Sequence, residues 1–368
     1  MLAASSPEAA PPTQQSVTFR PFALADEPKI LELFEIVFHS TMSAEHWRWQ
    51  FPANPFSRPI VYVAETTDGR LIGHYSLIPL PFVKNKKPGL AALSIQSMIH
   101  PDFQKRGILK SLATAAERQL DEDKILTGVT FLNDNSLHAY TTHFGWTKLE
   151  GPNPIFFTVL DPKAAMKKVL KSELVAAPLA WAARPVFDRV FRRKARAAGP
   201  RIHEVKRFDE RVDQLWNRFS AEARYAVPRS ARYLNWRLAD KPADYSFFVS
   251  EDEKGEIEGV VVTKTETKFG LYFGYIVELF FDPARPEIGR ALVGHALSSL
   301  EGQGCTMATA LTHGSDAVRH ALRSSGFWRL PKKAMPHGIH FCFKDRERSG
   351  PGLSRDGWLL SYCDHDVV

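Results

Sequence analysis

The stretch Leu93–Leu120, LSIQSMIHPDFQKRGILKSLATAAERQL, gathers residues whose types and order could do chemistry. A strand ends at His100-Pro101, a short loop carries Gln104, Lys105, Arg106 and Gly107, and a helix follows at once. The first turn of a helix has N–H groups without intrahelical partners and the positive end of the helix dipole. Such an end receives phosphates. Gly107 lets the backbone come close to an anion, and Lys105 and Arg106 add charge and donors. Ile108 and Leu109 then tie the helix to the sheet. Two readings are open on these residues alone: an anion site at a helix start, or a plain strand–loop–helix connection with basic surface residues.

The elements that must hold this segment follow from periodicity. Val17–Phe22 alternates as a short strand, and Ile30, Leu33, Phe34 and Val37 have helical spacing. An aromatic helix covers about 43–51. Two strands, 60–65 and 71–78, are joined by Asp68-Gly69, a hairpin signal. A strand over 92–100 leads into the helix over 107–120, where Ile108, Leu112, Ala116 and Leu120 form one stripe. A strand over 126–132, a helix over 136–144 and extended pieces around Trp146 and over 155–160 close the block. A meander followed by strand–helix–strand predicts a mixed α/β sheet.

The chain then starts again. Trp49 and Pro55 have counterparts in Trp236 and Pro242, Gly73 in Gly259, Pro101 and Gly107 in Pro283 and Gly289, and Gly145-Trp146 in Gly326-Phe327. The offset drifts one way, from 187 to 181, as small indels between two copies would produce. The predicted organisation is a flexible tail over 1–16, a first domain over 17–160, a basic helical connector over 161–205, a second domain over 206–347 and a C-terminal tail over 348–368.

The segment around Gly107 resembles the signature of the GNAT superfamily of acyl-CoA N-acyltransferases. Ile99, His100 and Pro101 match the family's strand end, and Gln104-Lys105-Arg106-Gly107-Ile108-Leu109 its loop, with Leu109 where the family has a small residue. Asn133, Asn135, Tyr140 and Gly145-Trp146 resemble its next motif. The resemblance covers about residues 17–160 and implies an α/β fold of two tandem GNAT-like domains, each a mixed, mostly antiparallel sheet flanked by helices. It implies acetyl-CoA or another acyl-CoA as co-substrate. The pyrophosphate would rest on 104–109, and the pantetheine arm would lie beside Ser97, Met98 and Ile99, with Asn135 nearby. A backbone N–H would polarise the thioester as oxyanion charge develops. A small-molecule amine, an amino sugar or a relative of one, would attack directly.

Two proton tasks accompany such an attack. By its match to the family tyrosine, Tyr140 is the candidate general acid toward the departing sulfur, with a packing tyrosine as the other reading. Gln96 stands where many relatives carry Glu, and an amide takes up no proton; it is assigned to the substrate side. His74 on the preceding strand has a suitable intrinsic pKa for a base. His100, His138 and a water chain are alternatives. Trp47 and Trp49 lie where the family builds part of its acceptor pocket, and either face an acceptor or fill the core.

The second copy fails the same chemical test. Pro286, Glu287 and Ile288 stand opposite Gln104, Lys105 and Arg106, and Ala321 stands opposite Tyr140. Pro286 has no N–H to offer and Glu287 repels a pyrophosphate. A degenerate domain is expected there. A catalytically silent acyl-CoA-binding or scaffold protein is the rival to the enzyme.

Composition bounds these readings. The chain has 368 residues, 44% apolar and 24% charged, with net charge +7, which suits a globular protein of about two domains. Cys305, Cys342 and Cys363 are too few and too scattered for a disulfide framework or a zinc site, so no metal is expected and a reducing cytoplasm fits. No groove-reading motif points to nucleic acid. Contact with a membrane surface through the basic connector, with Phe187, Val190 and Phe191 opposite Arg189, Arg192 and Arg193, is the other partner expectation.

Overall fold

The computed structural model describes residues 16–151, 154–165, 200–268, 270–331, 338–347 and 356–365. Most of the basic connector, including its apolar positions, lies outside the described residues. The first half supplies β1 (Val17–Pro21), α1 (Glu27–Phe38), α2 (Ala44–Gln50), β2 (Ile60–Thr66), β3 (Leu71–Lys84) and β4 (Lys87–Ile99), then α3 (Ile108–Glu122), β5 (Ile125–Leu132), α4 (Asp134–His143), β6 (Thr147–Lys148) and β7 (Ile155–Val159). The second half supplies β8 (Arg201–Val205), α5 (Arg211–Phe219), β9 (Tyr225–Ala226) and α6 (Ala231–Leu234), which continues as a π-helical turn to Ala239. There follow β10 (Tyr245–Glu251), β11 (Ile257–Lys268), β12 (Leu271–Phe281), α7 (Pro286–Gly302), β13 (Met307–His313), α8 (Asp316–Ser324), β14 (Trp328–Arg329), β15 (His340–Asp345) and β16 (Leu360–Ser361).

These strands form two eight-stranded mixed sheets flanked by helices. The first has the order β1-β2-β3-β4-β5-β15-β6, with β9 beside β3; the second has β14-β7-β13-β12-β11-β10-β8, with β16 beside β13. Each has one parallel ladder, β4 with β5 and β12 with β13. The other ladders of the main order whose register is resolved are antiparallel. The two orders are copies of each other, as the repeated punctuation predicts.

One expected strand is placed differently. The sequence reading put 155–160 at the end of the first block, but β7 pairs with β13 of the second sheet. In return β15, from the second half, pairs with β5 of the first. Alternation identifies a strand but carries no information about which of two equivalent edges it joins.

By contact density the chain divides into two compact units. Among the described residues, one holds 16–44, Ile60–Leu77 and Ile95–Glu122; the other holds Glu45–Pro59, Ile78–Ser94 and the described residues from Asp123 on. In the first, α3 buries Ile108, Leu112, Ala116 and Leu120. Burial of each large apolar side chain is worth about 1.5–3 kcal/mol. Gly73 of β3 is what lets α3 sit so close: a Cβ there would stand 3.0 Å from both Ile108 and Leu112. In the second unit Gly259 repeats the arrangement beneath Ile288 and Leu292 of α7, at 2.8 and 2.5 Å.

Candidate active site

Within the first unit, β4 breaks its pleat at Gln96, whose φ of 48° is left-handed. Two side chains from β3 hold the break. Ser76 Oγ donates to the Ile95 carbonyl at 2.8 Å, and His74 Nδ1 lies 2.9 Å from the Gln96 carbonyl. A carbonyl only accepts, so Nδ1 carries the proton. His74 is 0% exposed, and burial pulls its pKa down to about 4 against the opposing pull of that hydrogen bond. Burial favours the neutral imidazole near pH 7, and the contact it makes pins the bulge. Gln96, Ser97 and Ile99 are half-buried and Met98 is buried. Gln96 Nε2 approaches Met42 Sδ at 3.9 Å.

The loop after β4 is open. Gln104, Lys105, Arg106 and Gly107 are exposed, and Lys105 and Gly107 are left-handed at φ 61° and 77°. A Cβ at Gly107 would meet nothing within 4 Å. Its φ, together with that clear space, marks a backbone shaped for close approach rather than for packing. Arg106 is braced by a 2.8 Å bond to the Asp102 carbonyl and lies over the Phe103 ring at 5.0 Å. Gln104 Nε2 reaches the Ile99 carbonyl at 3.5 Å. Ile108 is buried and Leu109 half-buried, which anchors the helix start, and the first turn of α3 holds no acidic residue. His100 is engaged by Arg70 at 2.5 Å and by the Asp102 N–H at 3.3 Å.

Within the second unit, Tyr140 of α4 is buried at 5% exposure against Phe144 and Trp146. Its hydroxyl lies 3.2 Å from Ser94 Oγ on β4, and Thr130 of β5 donates to the Ser94 carbonyl at 2.9 Å. Ser94 was not singled out in the sequence. The parallel ladder of β4 and β5 ends just before this point, at Leu93↔Val129. Gly128 makes room for the Trp146 indole, which a Cβ would meet at 2.7 Å. Asn133 caps α4 by accepting from the Ser136 N–H at 2.9 Å, and Asn135 is exposed on its first turn. His138 is exposed on α4.

Trp47 and Trp49 are buried, 0% and 5% exposed, as the core-filling reading expects. Trp49 stacks on its repeat counterpart Trp236, with centroids 5.5 Å apart and planes at 25°. Each indole N–H donates to the other's carbonyl, at 2.6 and 3.3 Å.

The second copy is closed where the first is open. Glu287 pairs with Arg285 at 2.5 Å at the start of α7. Gly289 is a packing residue: a Cβ there would fall 2.3 Å from the Phe281 ring. The β12–β13 ladder ends at Ile276↔Ala310, and immediately beyond it β16 pairs with β13 at Thr312 and His313. The chain's own residues 360–364 therefore fill the gap. Arg229 locks them there, bonding Glu278 at 2.5 Å, Asp364 at 2.6 and 2.9 Å, and Ser361 at 3.0 Å. Burial works against the Arg229 charge, but Asp364 and Glu278 outweigh it and raise its pKa. Among the described residues no cluster of three or more His, Cys, Asp or Glu is placed to hold a metal, and no helix is long and apolar enough to cross a membrane.

Residues 18–148 match the family model of the acetyltransferase (GNAT) domain. No curated protein sequence matches the chain. Among solved structures, a probable N-acyltransferase of Enterococcus faecalis is 11% identical with a TM-score of 0.59, over 90% of this chain and 73% of that one. N-myristoyltransferase of Saccharomyces cerevisiae, solved with myristoyl-CoA, is 11% identical with a TM-score of 0.59, over 92% and 84%. A GCN5-related N-acetyltransferase of Anabaena variabilis is 10% identical with a TM-score of 0.60, over 90% and 73%.

Proposed function

We propose, for a chain whose fold is that of the GNAT superfamily, that it is an acyl-CoA-dependent N-acyltransferase acting on a primary amine. The loop at 104–107 carries the reading: two left-handed residues, an unobstructed Gly107, two basic side chains and a helix start without a carboxylate. That combination suits a pyrophosphate. Gln104, Lys105, Arg106 and the backbone N–H groups of 107–109 would hold it, with Ser97, Met98 and Ile99 alongside the pantetheine arm and Asn135 near the coenzyme. The neutral amine attacks the thioester carbon, a C–N bond forms and the C–S bond breaks. By its match to the family tyrosine, Tyr140 would give the thiolate its proton; its hydroxyl pairs with Ser94 Oγ inside its own unit. The amine sheds its extra proton to water, because Gln96 is an amide and His74 is sealed. An amino sugar or related small amine, with acetyl-CoA as donor, is the pair we propose first.

Thiol release from acetyl-CoA over a panel of amino sugars, polyamines and peptides tests the reading. Release above background with one class is expected. Binding of acetyl-CoA without release over the panel would instead establish the silent acyl-CoA-binding protein, which the lack of a dedicated base favours. Gly107→Glu places a carboxylate on a left-handed residue at the helix start, and should lower acetyl-CoA affinity by about a hundredfold or more. Unchanged affinity in calorimetry removes the site.

A further inference from the structure

We propose that Trp358 is the floor of an acyl pocket and restricts this protein to short acyl groups; the inference rests on the acyl-CoA reading above. Tyr140, Trp146 and Leu132 share one side of the first sheet. Side chains alternate along β5, so Val129 and Phe131 point to the other side. Their register partners on β15, Phe343 and Phe341, point with them. A sulfur served by Tyr140 would sit where the β4–β5 ladder ends, after Leu93↔Val129, and an acyl chain leaving it between the two strands would emerge on the Phe131 side.

A small apolar cavity lies on that side, lined by Leu80, Phe82, Val129, Phe131, Phe341 and Trp358 among others. Its free space is about that of one water, close to the methyl end of an acetyl group and far short of a long chain. Trp358 closes it. The indole is 1% exposed and lies 4.8 to 5.9 Å, centroid to centroid, from Phe341, Tyr225, Phe343 and Phe82. It is delivered by the same C-terminal segment that fills the gap in the second sheet, three residues before Ser361. One segment thus plugs the degenerate copy and sets the depth of the pocket in the other.

Binding by the full chain tests this without knowledge of the acceptor. Calorimetry with CoA, acetyl-CoA and octanoyl-CoA should show the wild type taking octanoyl-CoA no more tightly than acetyl-CoA. Trp358→Leu opens the floor, and each methylene newly buried is worth about fourfold in affinity. Octanoyl-CoA should then bind at least tenfold more tightly than to the wild type, with CoA affinity unchanged. Leu80→Ala widens the same cavity from β3 and carries the test if Trp358→Leu does not fold; the same direction is expected. A wild type that prefers octanoyl-CoA tenfold, or folded variants with the wild-type ratio, overturns the inference while the acyl-CoA reading stands. A wild type that binds no CoA overturns both.

Discussion

A Cβ at Gly107 meets open space, whereas one at Gly289, its counterpart, meets the Phe281 ring at 2.3 Å. Gly289→Ala should therefore lower stability by about 1–3 kcal/mol through overpacking and leave acetyl-CoA affinity alone; a denaturant midpoint and a binding isotherm check the two halves of that statement. Tyr140→Phe should cut turnover by about a hundredfold at unchanged coenzyme affinity. His74 makes a pH prediction. Its unfolded form takes up a proton near the ordinary 6.5 and its folded form only near 4, so acid favours unfolding. The stability it contributes is whole above about pH 6.5 and is lost as the pH falls toward 4, up to about 3 kcal/mol. His74→Gln should shrink the drop in melting temperature over that window without abolishing it, because burial lowers His46 to about 4 as well. The open loop after β4 was legible residue by residue, since Gln104-Lys105-Arg106-Gly107 is contiguous. The place of His74 was not, because its burial depends on strands distant in sequence.

At the scale of elements, the resemblance of the two halves hides an asymmetry. In the second sheet β16 takes up the edge of β13 that β12 leaves, fastened by Arg229 between Glu278, Ser361 and Asp364. Removing the guanidinium strands two buried carboxylates, so Arg229→Met should cost about 3–5 kcal/mol in chemical denaturation. The repeated glycines made both helix–strand packings readable from the sequence. The C-terminal segment was opaque because β16 is two residues long, too short for alternation to show. Its anchor, Arg229, looks like any surface arginine until the strands that enclose it are placed.

The two halves of the sequence are joined by exchange. The tryptophans that marked the repeat, Trp49 and Trp236, stack on each other and trade hydrogen bonds; a double-mutant cycle to Phe at both should show a coupling of about 0.5–3 kcal/mol. The sequence showed that they correspond, and only the fold showed that they touch. Each sheet also contains a strand from the other half. Residues 16–165 and 200–368 produced as separate chains should each lack a cooperative melt and regain one when produced together.

That exchange also sets a clock on synthesis. The edge of β5 that β15 covers is made long before β15 itself, with Leu132 and His340 bounding the interval. At ribosomal speeds of about 5–20 residues per second, that interval lasts on the order of 10–40 s. For all of it a buried-type strand edge stands unpaired beside other nascent chains. The newly made first half is the form of this protein most in need of a chaperone.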